Sequence, residues 1–544
     1  MTDFAWWQRG IIYQIYPRSF NDSNADGIGD LQGIIDRLDY LNDGTPNSLG
    51  IDAIWISPFY PSPMADFGYD VANYTDVDKM FGDLATFDRL VQEAHKRNIK
   101  LIVDYVPNHS SDEHAWFTES SSSRDNPKAD WYIWKDPKPD GSLPNNWGAV
   151  FGGPAWTWNE ARQQYYFHQF HPKQPDLNWR NPEVREAMHN VLRFWMDRGV
   201  DGFRMDVVYM IWKHPDMPDQ PPMSRNLALR GDDDIFNTQE QIYSFNYDGI
   251  HERMKELRAV LNEQEAVGIG EIWLPLKERM KFYGQDDEFH MPFNFGLFAS
   301  KDGDFSSDAE WSAERVREVV DEYEQAANPV SGWPNWVLGN HDIPRLASRV
   351  GEKHARLAAM LLLSLRGTPT LYMGDEIGMV NGEIAPEQMR DPQGVNLGVE
   401  HTRDVCRTPM QWDNSPYAGF STVETWLPVT SDYPTRNVKA QQADDTSLLS
   451  LYRRLIWQRK QSPALSVGSY EPLDSPPGTF VFLRQYEDET KLVALNFSDR
   501  PKSFDIDGVG LVVIDTMLNQ IGIEHTGTLR IEADAGVIFD LVRE

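Results

Sequence analysis

Arg204 and Asp206 stand two positions apart in GVDGFRMDVVYM, residues 199–210, directly after an amphipathic helical pattern. Alternate side chains share a face on an extended strand, so a guanidinium and a carboxylate project together from its end. Such a pair is either a structural salt bridge or part of a site, and the rest of the chain decides which. Other strand-like segments end in residues of the same kind. Asp104 and His109 close IKLIVDYVPNH, Glu271 closes EAVGIGEIW, and His341 and Asp342 close NWVLGNHD. Convergent carboxylates among aromatics suit glycosidic-bond chemistry, one acid attacking the anomeric carbon while another protonates the leaving oxygen. Any one of these acids is as readily a helix cap or a loop ion pair; the whole set on one rim is not. There is no HExxH, no Cys/His cluster at zinc spacing, no P-loop and no GxGxxG opening a helix, so metalloprotease, nucleotide and dinucleotide chemistry have no support.

The elements that must position these residues alternate in type. GIIYQIYP (10–17) and IDAIWISPF (51–59) read as strands, with the helical pattern LQGIIDRLDYLND between them. LATFDRLVQEAHKRN (84–98) is helical by its period and feeds the strand 99–109. Asn181 and Pro182 form a cap and first turn for a helix whose apolar face is Val184, Ala187, Met188, Val191, Leu192 and Trp195. Further strands fall at 200–207, 265–273, 291–298, 335–342 and 368–376, with the helix KHARLAAMLLLSLR between the last two. About eight strands separated by helices is the rhythm of a closed (β/α)8 barrel, whose active site lies at the C-terminal strand ends. From 110 to about 180 the alternation breaks into Ser, Pro, Gly, Asn and Trp, which predicts an inserted subdomain. After the helical run 448–465, the segments VFLRQY, KLVALNF, GLVVIDT, TLRIEA and GVIFDLV predict a C-terminal antiparallel β-sandwich. The expected fold is therefore α/β, a TIM barrel with a subdomain after its third strand and a β-sandwich at its end. The divisions are 1–104 and 179–466 for the barrel, 105–178 for the subdomain and 467–544 for the sandwich.

A net charge of −32 argues against nucleic acid, anionic membranes and polyanionic substrates. The 19 Trp, 21 Tyr and 26 Phe, most of them core, suit a neutral substrate with apolar faces such as a sugar. With Cys406 as the only cysteine no intrachain disulfide forms, and no apolar run is long enough to span a bilayer. The N-terminus MTDFAWWQRG does not read as a signal peptide, so the expected location is the cytoplasm and the expected state a monomer or small homo-oligomer.

DYVPNH (104–109), GFRMD (202–206), GEIW (270–273) and NHD (340–342) resemble the four signature regions of glycoside hydrolase family 13, the α-amylase family. QPDLNW (174–179) resembles its additional region, and QIYPRSF (14–20), GYDVANY (68–74) and RTPMQWD (407–413) resemble its oligo-1,6-glucosidase and α-glucosidase branch. The resemblance implies a retaining, exo-acting α-glucosidase on small neutral α-glucosides such as maltose, isomaltose or sucrose. It makes Asp206 the nucleophile, Glu271 the general acid/base and Asp342 the third acid. Arg204 would hold Asp206 ionised by lowering its pKa, while Glu271 needs a raised one. His109 and His341 match histidines that bind the same glucose unit. Asp66 matches the group that grips the non-reducing end, and Tyr69 the ring stacked beneath it. Arg403, in preference to Arg407, would pair with Asp66 and close the pocket, and Phe170 is a candidate aromatic wall. The resemblance leaves open a transglucosidase or isomerase of the sucrose isomerase or trehalose synthase type. A catalytically dead scaffold would require a membrane span and lost acids. Val207 after the nucleophile resembles α-1,6-acting enzymes, whereas HMPFNF after GEIWLPLKERMKFYG resembles broad α-glucosidases, so mixed specificity is expected.

DSNADGIGD (22–30) spaces Asp22, Asn24, Asp26, the Ile28 carbonyl and Asp30 like the first nine positions of an EF-hand loop, although Gly33 stands at the twelfth. The alternative is a loop rich in Asx turns. In the related oligo-1,6-glucosidases this element holds a structural divalent ion, so calcium is expected, with magnesium as the alternative. No organic cofactor is expected.

Overall fold

The computed structural model describes residues 4–224, 233–299 and 310–542. Its first strands are β1 (Ile12–Ile15), β2 (Ala53–Ile56) and β3 (Lys100–Tyr105). The insertion follows, with β4 (Trp134–Lys135), β5 (Trp156–Asn159) and β6 (Gln164–Phe167) paired antiparallel in the order β4-β6-β5. Five more strands complete the first layer: β7 (Gly202–Met205), β8 (Val267–Gly270), β9 (Phe293–Asn294), β10 (Asn335–Val337) and β11 (Thr368–Tyr372). All eight barrel strands are parallel, in the order β8-β7-β3-β2-β1-β11-β10-β9. The two edges meet where the His290 N–H donates to the Gly268 carbonyl at 3.2 Å, which closes the barrel just ahead of β9.

Every predicted barrel strand is present but shorter than its apolar run, because ladder pairing stops where the chain turns into the loops that carry the polar residues. Side-chain caps start the helices as their sequences imply. Asp83 accepts from the Thr86 N–H ahead of Leu84–Lys96, and Asn181 accepts from Glu183 ahead of Pro182–Met196. The helix expected from LQGIIDRLDYLND is broken: Arg37 leaves helical geometry between Leu31–Asp36 and Leu38–Leu41. The run 448–465 is likewise two helices, Leu448–Gln461 and Pro463–Val467, since Pro463 cannot continue the first and Ser462 caps the second.

The insertion leaves and rejoins the barrel side by side, through bridges His109–Asp176 and Tyr132–Leu177. The final strands are β12 (Ser469–Leu473), β13 (Thr479–Tyr486), β14 (Glu489–Asn496), β15 (Lys502–Asp515), β16 (Glu524–Ile531) and β17 (Ala535–Val542). They pair antiparallel as one continuous sheet, β12-β13-β14-β17-β15-β16. Two register shifts in β15 fold this sheet over a second apolar cluster that includes Leu483, Leu492, Val512, Leu529 and Phe539. The sandwich is thus made from one sheet curled on itself. Its opposite face, with Phe480, Phe482, Val493 and Leu495, joins the barrel core over the buried helix Ala355–Ser364. The edge strand β12, mostly exposed and carrying Pro472, had no apolar signature to reveal it.

Candidate active site

Arg204 leaves the end of β7 almost fully buried and meets three carboxylates. Its Nη1 donates to Asp206 Oδ1 at 2.6 Å and to Asp104 Oδ1 at 2.5 Å, and its Nη2 donates to Glu271 Oε2 at 2.5 Å. Each acid stands at or just beyond the C-terminal end of a neighbouring strand, β3, β7 or β8, so parallel register alone brings them to one guanidinium. Two further donors fix Glu271: the Val207 N–H at 3.1 Å and the Trp273 indole N–H at 2.9 Å. Val207 has φ +31, a conformation that a β-branched residue adopts only under local strain, and in it the N–H faces Glu271. Trp55 donates its indole N–H to Asp104 at 2.9 Å.

Burial raises the Asp206 carboxyl well above the usual range; Arg204 opposes this, while Glu271 and Asp104 add to it. Burial likewise pushes Asp104 up to about 6 against the pull of Arg204. Arg204 does pull Asp206 down, as expected, but the net shift is upward because burial outweighs it and the neighbouring acids Glu271 and Asp104 add to the rise. Asp342 differs. Burial alone would raise it, but His341, Arg403 and Arg407 outweigh that and hold it well below the carboxylate range. Since burial also pushes His341 down to about 3, that ring is neutral at pH 7 and the arginines carry the effect. Arg407 Nη2 lies 3.0 Å and Arg403 Nη1 3.3 Å from Asp342 Oδ1.

The histidines are held by neighbours. His341 has the Gln14 amide 2.7 Å from Nδ1 and the Tyr69 hydroxyl 2.6 Å from Nε2, with the Tyr69 ring stacked on it at 3°. His109, which burial lowers to about 4, lies 3.2 Å from the Gln174 amide and 5.3 Å from the Phe170 ring. Gln174 also donates to Asp66 Oδ2 at 3.0 Å. On the other side of Asp66, Arg403 Nη2 donates to Oδ1 at 2.7 Å and to Asp391 at 2.6 Å, while its guanidinium lies 5.1 Å from the Phe151 ring. Arg403, not Arg407, therefore reaches Asp66, and Phe170 packs on Phe151 in the same wall.

All ten predicted catalytic and substrate residues belong to one connected group. Gln14, Trp55, Gln174 and Trp273 join it without having been singled out, although each lies inside or beside a quoted motif or an acid-bearing strand. Asp104 had been read as a strand-end acid without a role. Asp391 had no signal at all, because it sits in an aperiodic loop.

The loop 22–30 lies apart from this group. Asp22 accepts N–H bonds from Asn24, Ala25 and Gly27 at 2.8–3.0 Å, with Gly27 at φ +87 in the sharp turn that an EF-hand loop also makes at its sixth position. Asp26 accepts from the Ile28 N–H, and Asp30 caps the next helix through the Gly33 N–H at 2.6 Å. A Cβ on Gly33 would lie 1.9 Å from the Asn21 carbonyl, so no side-chain ligand fits at the twelfth position. The carboxylates of Asp22, Asp26 and Asp30 accept backbone N–H bonds as in Asx turns, and no group of three or more His, Cys, Asp or Glu gathers around a metal point among the described residues.

An eight-stranded parallel barrel with acids at three adjacent strand ends defines a barrel hydrolase of glycosidic bonds. The chain belongs to the α-amylase catalytic-domain family, glycoside hydrolase family 13, which matches residues 14–468. It is 43% identical over 511 residues to a Rhizobium meliloti protein named "Probable alpha-glucosidase", covering 91% of this chain and 90% of that one. It is 41% identical over 537 residues to an oligo-1,6-glucosidase of Heyndrickxia coagulans, covering 92% and 93%. Among solved structures, an alpha-glucosyl transfer enzyme superposes with a TM-score of 0.90 at 38% identity over 99% of this chain and all of that one. The trehalulose synthase of Pseudomonas mesoacidophila gives 0.88 at 35% identity, over 99% and 100%. No helix among the described residues is long and apolar enough to cross a membrane.

Proposed function

We propose that the chain is an exo-acting, retaining α-glucosidase that removes glucose from the non-reducing end of short neutral α-glucosides. The observation that carries this reading is one arginine, Arg204, binding both Asp206 and Glu271, under a second, Arg403, that ties Asp66 across the pocket. In the first half-reaction Asp206 attacks the anomeric carbon as the Glu271 carboxyl gives its proton to the glycosidic oxygen, so the aglycone leaves as an alcohol. In the second, Glu271 takes a proton from water, the water oxygen attacks the same carbon, and the glucosyl–Asp206 ester breaks to release α-glucose. Two inversions retain configuration. Catalysis requires Asp206 ionised and a proton on Glu271 when substrate is bound. Asp342, held ionised, accepts hydrogen bonds from sugar hydroxyls together with His109 and His341. The Asp66–Arg403 pair blocks extension beyond one glucose, which makes the action exo.

Initial rates of glucose release from maltose, isomaltose and sucrose test this, with Asp206→Asn as the blank. Release by the wild type and a loss of about 10^4-fold in the variant (about 5.4 kcal/mol) supports the assignment. Activity retained in Asp206→Asn overturns it. The similarity to an alpha-glucosyl transfer enzyme and a trehalulose synthase favours one second reading, transfer of the glucosyl unit to a sugar acceptor in place of water. Substrate loss with little free glucose would favour it. A structural divalent cation, calcium before magnesium, would be held by Asp22, Asn24, Asp26, the Ile28 carbonyl and Asp30. It would brace this loop and the helix Leu31–Asp36, remote from the chemistry.

A further inference from the structure

Gln14, in β1, and His341 are both fully buried, and the Gln14 amide lies 2.7 Å from His341 Nδ1 and 3.3 Å from Ser57 Oγ. Among the described residues Nδ1 has this one partner. The other ring nitrogen, Nε2, lies 2.6 Å from the Tyr69 hydroxyl and 3.3 Å from Asp342 Oδ2. The Tyr69 hydroxyl in turn lies 3.3 Å from Asp104 Oδ2, to which it donates.

A neutral imidazole carries one N–H, and what each nitrogen faces decides which one holds it. With the proton on Nδ1, a bare Nε2 would face the ionised Asp342 carboxylate, acceptor against acceptor. Tyr69 would then give its proton to the ring and leave Asp104. With the proton on Nε2 these conflicts vanish: the ring donates towards Tyr69 and Asp342, and Tyr69 remains free to donate to Asp104. Nδ1 is then an acceptor that needs a donor. The two ends of an amide have the same shape, so the direction of Gln14 follows from this network, and its Nε2 end faces the ring. We propose that Gln14 is a positioning residue, whose amide donates to His341 Nδ1 and so keeps the ring's proton on Nε2, beside Asp342. Hydrogen bonds then run in one direction, from Gln14 through His341 and Tyr69 to Asp104. A sugar hydroxyl arriving there meets a donor in His341 next to an acceptor in Asp342. That consequence rests on the α-glucosidase activity proposed above, whereas the tautomer itself does not.

Nitrogen-15 NMR of the full chain labelled only at histidine reads the tautomer without any turnover, with the His341 signals assigned by their loss in His341→Gln. The proposal expects a wild-type ring at pH 7 with Nε2 protonated and Nδ1 bare. Gln14→Leu keeps the bulk and removes the donor. It should lose that single form, and kcat/KM for glucose release should fall about 10-fold. Should that variant fail to fold, Gln14→Glu keeps the shape and offers Nδ1 an acceptor, which should draw a proton onto it. A proton on Nδ1 in the wild type overturns the proposal. So does a His341 spectrum in a folded Gln14 variant identical to that of the wild type. Absence of glucose release from a wild type with a bare Nδ1 would instead refute the proposed activity and leave the role of Gln14 standing.

Discussion

Arg204 shows how burial and charge compete around one side chain. Burial, with Glu271 and Asp104 close by, outweighs the pull of Arg204, so Asp206 stays above the usual carboxylate range even with a donor 2.6 Å away. The nucleophile must be ionised to attack, so kcat/KM should climb with pH as Asp206 loses its proton. The acid limb should accordingly lie above the ordinary Asp value of about 4. Asp342, held low, stays ionised there and does not contribute to that limb. Asp104→Asn removes one of the like charges that raise Asp206. It should therefore move the acid limb to lower pH, and a pH–kcat/KM profile that stays in place or moves up would refute this account. The two site histidines, lowered by burial to about 4 and about 3, are neutral from pH 5 to 8 and should leave no inflection in that interval.

The elements are tied by buried polar clamps as well as by apolar packing. Lys213, beyond β7, donates to Asn108 Oδ1 at 2.9 Å and to the Met210 carbonyl at 2.6 Å, and pairs with Asp176 at 2.7 Å. Asp176 in turn accepts from Asn108 and from the Gln169 N–H. This clamp joins the segment leaving β3 to the chain returning from the insertion, where His109, Phe170 and Gln174 sit. Lys213→Met should cost about 3–5 kcal/mol, because it leaves a buried carboxylate uncompensated. Chemical denaturation gives the value, and a loss under 1 kcal/mol would mean that the clamp is slack. For the loop 22–30, bound calcium predicts a lower Tm in EDTA that calcium restores, with kcat at 25 °C unchanged by the chelator.

For the molecule as a whole, the pocket is made where three pieces meet: the barrel rim, the insertion and the loop carrying Asp391 and Arg403. Arg403→Ala removes the tie between them and leaves Asp66 and Asp391 without their cation. A fall in kcat/KM of about 10^2-fold for maltose is expected, about 2.7 kcal/mol. An oligosaccharide blocked at its non-reducing end should resist the wild type, and its cleavage at internal bonds would contradict exo action.

The order of barrel strands, the helix caps at Asp83 and Asn181, and the acids at strand ends were legible in the chain. They rest on local rules, the period of side-chain exposure and the chemistry of caps, that act within a few residues. The signature motifs extended that reading to Asp66, Arg403 and Phe170. Two things needed the folded chain. Asp391 meets Arg403 only because an aperiodic loop returns over the barrel mouth. The direction of the Asp206 shift depends on burial and on the acids Glu271 and Asp104, which lie 67 and 100 residues from Arg204 in sequence. Burial and charge balance are properties of surroundings assembled from distant segments, and for that reason they are decided by the fold.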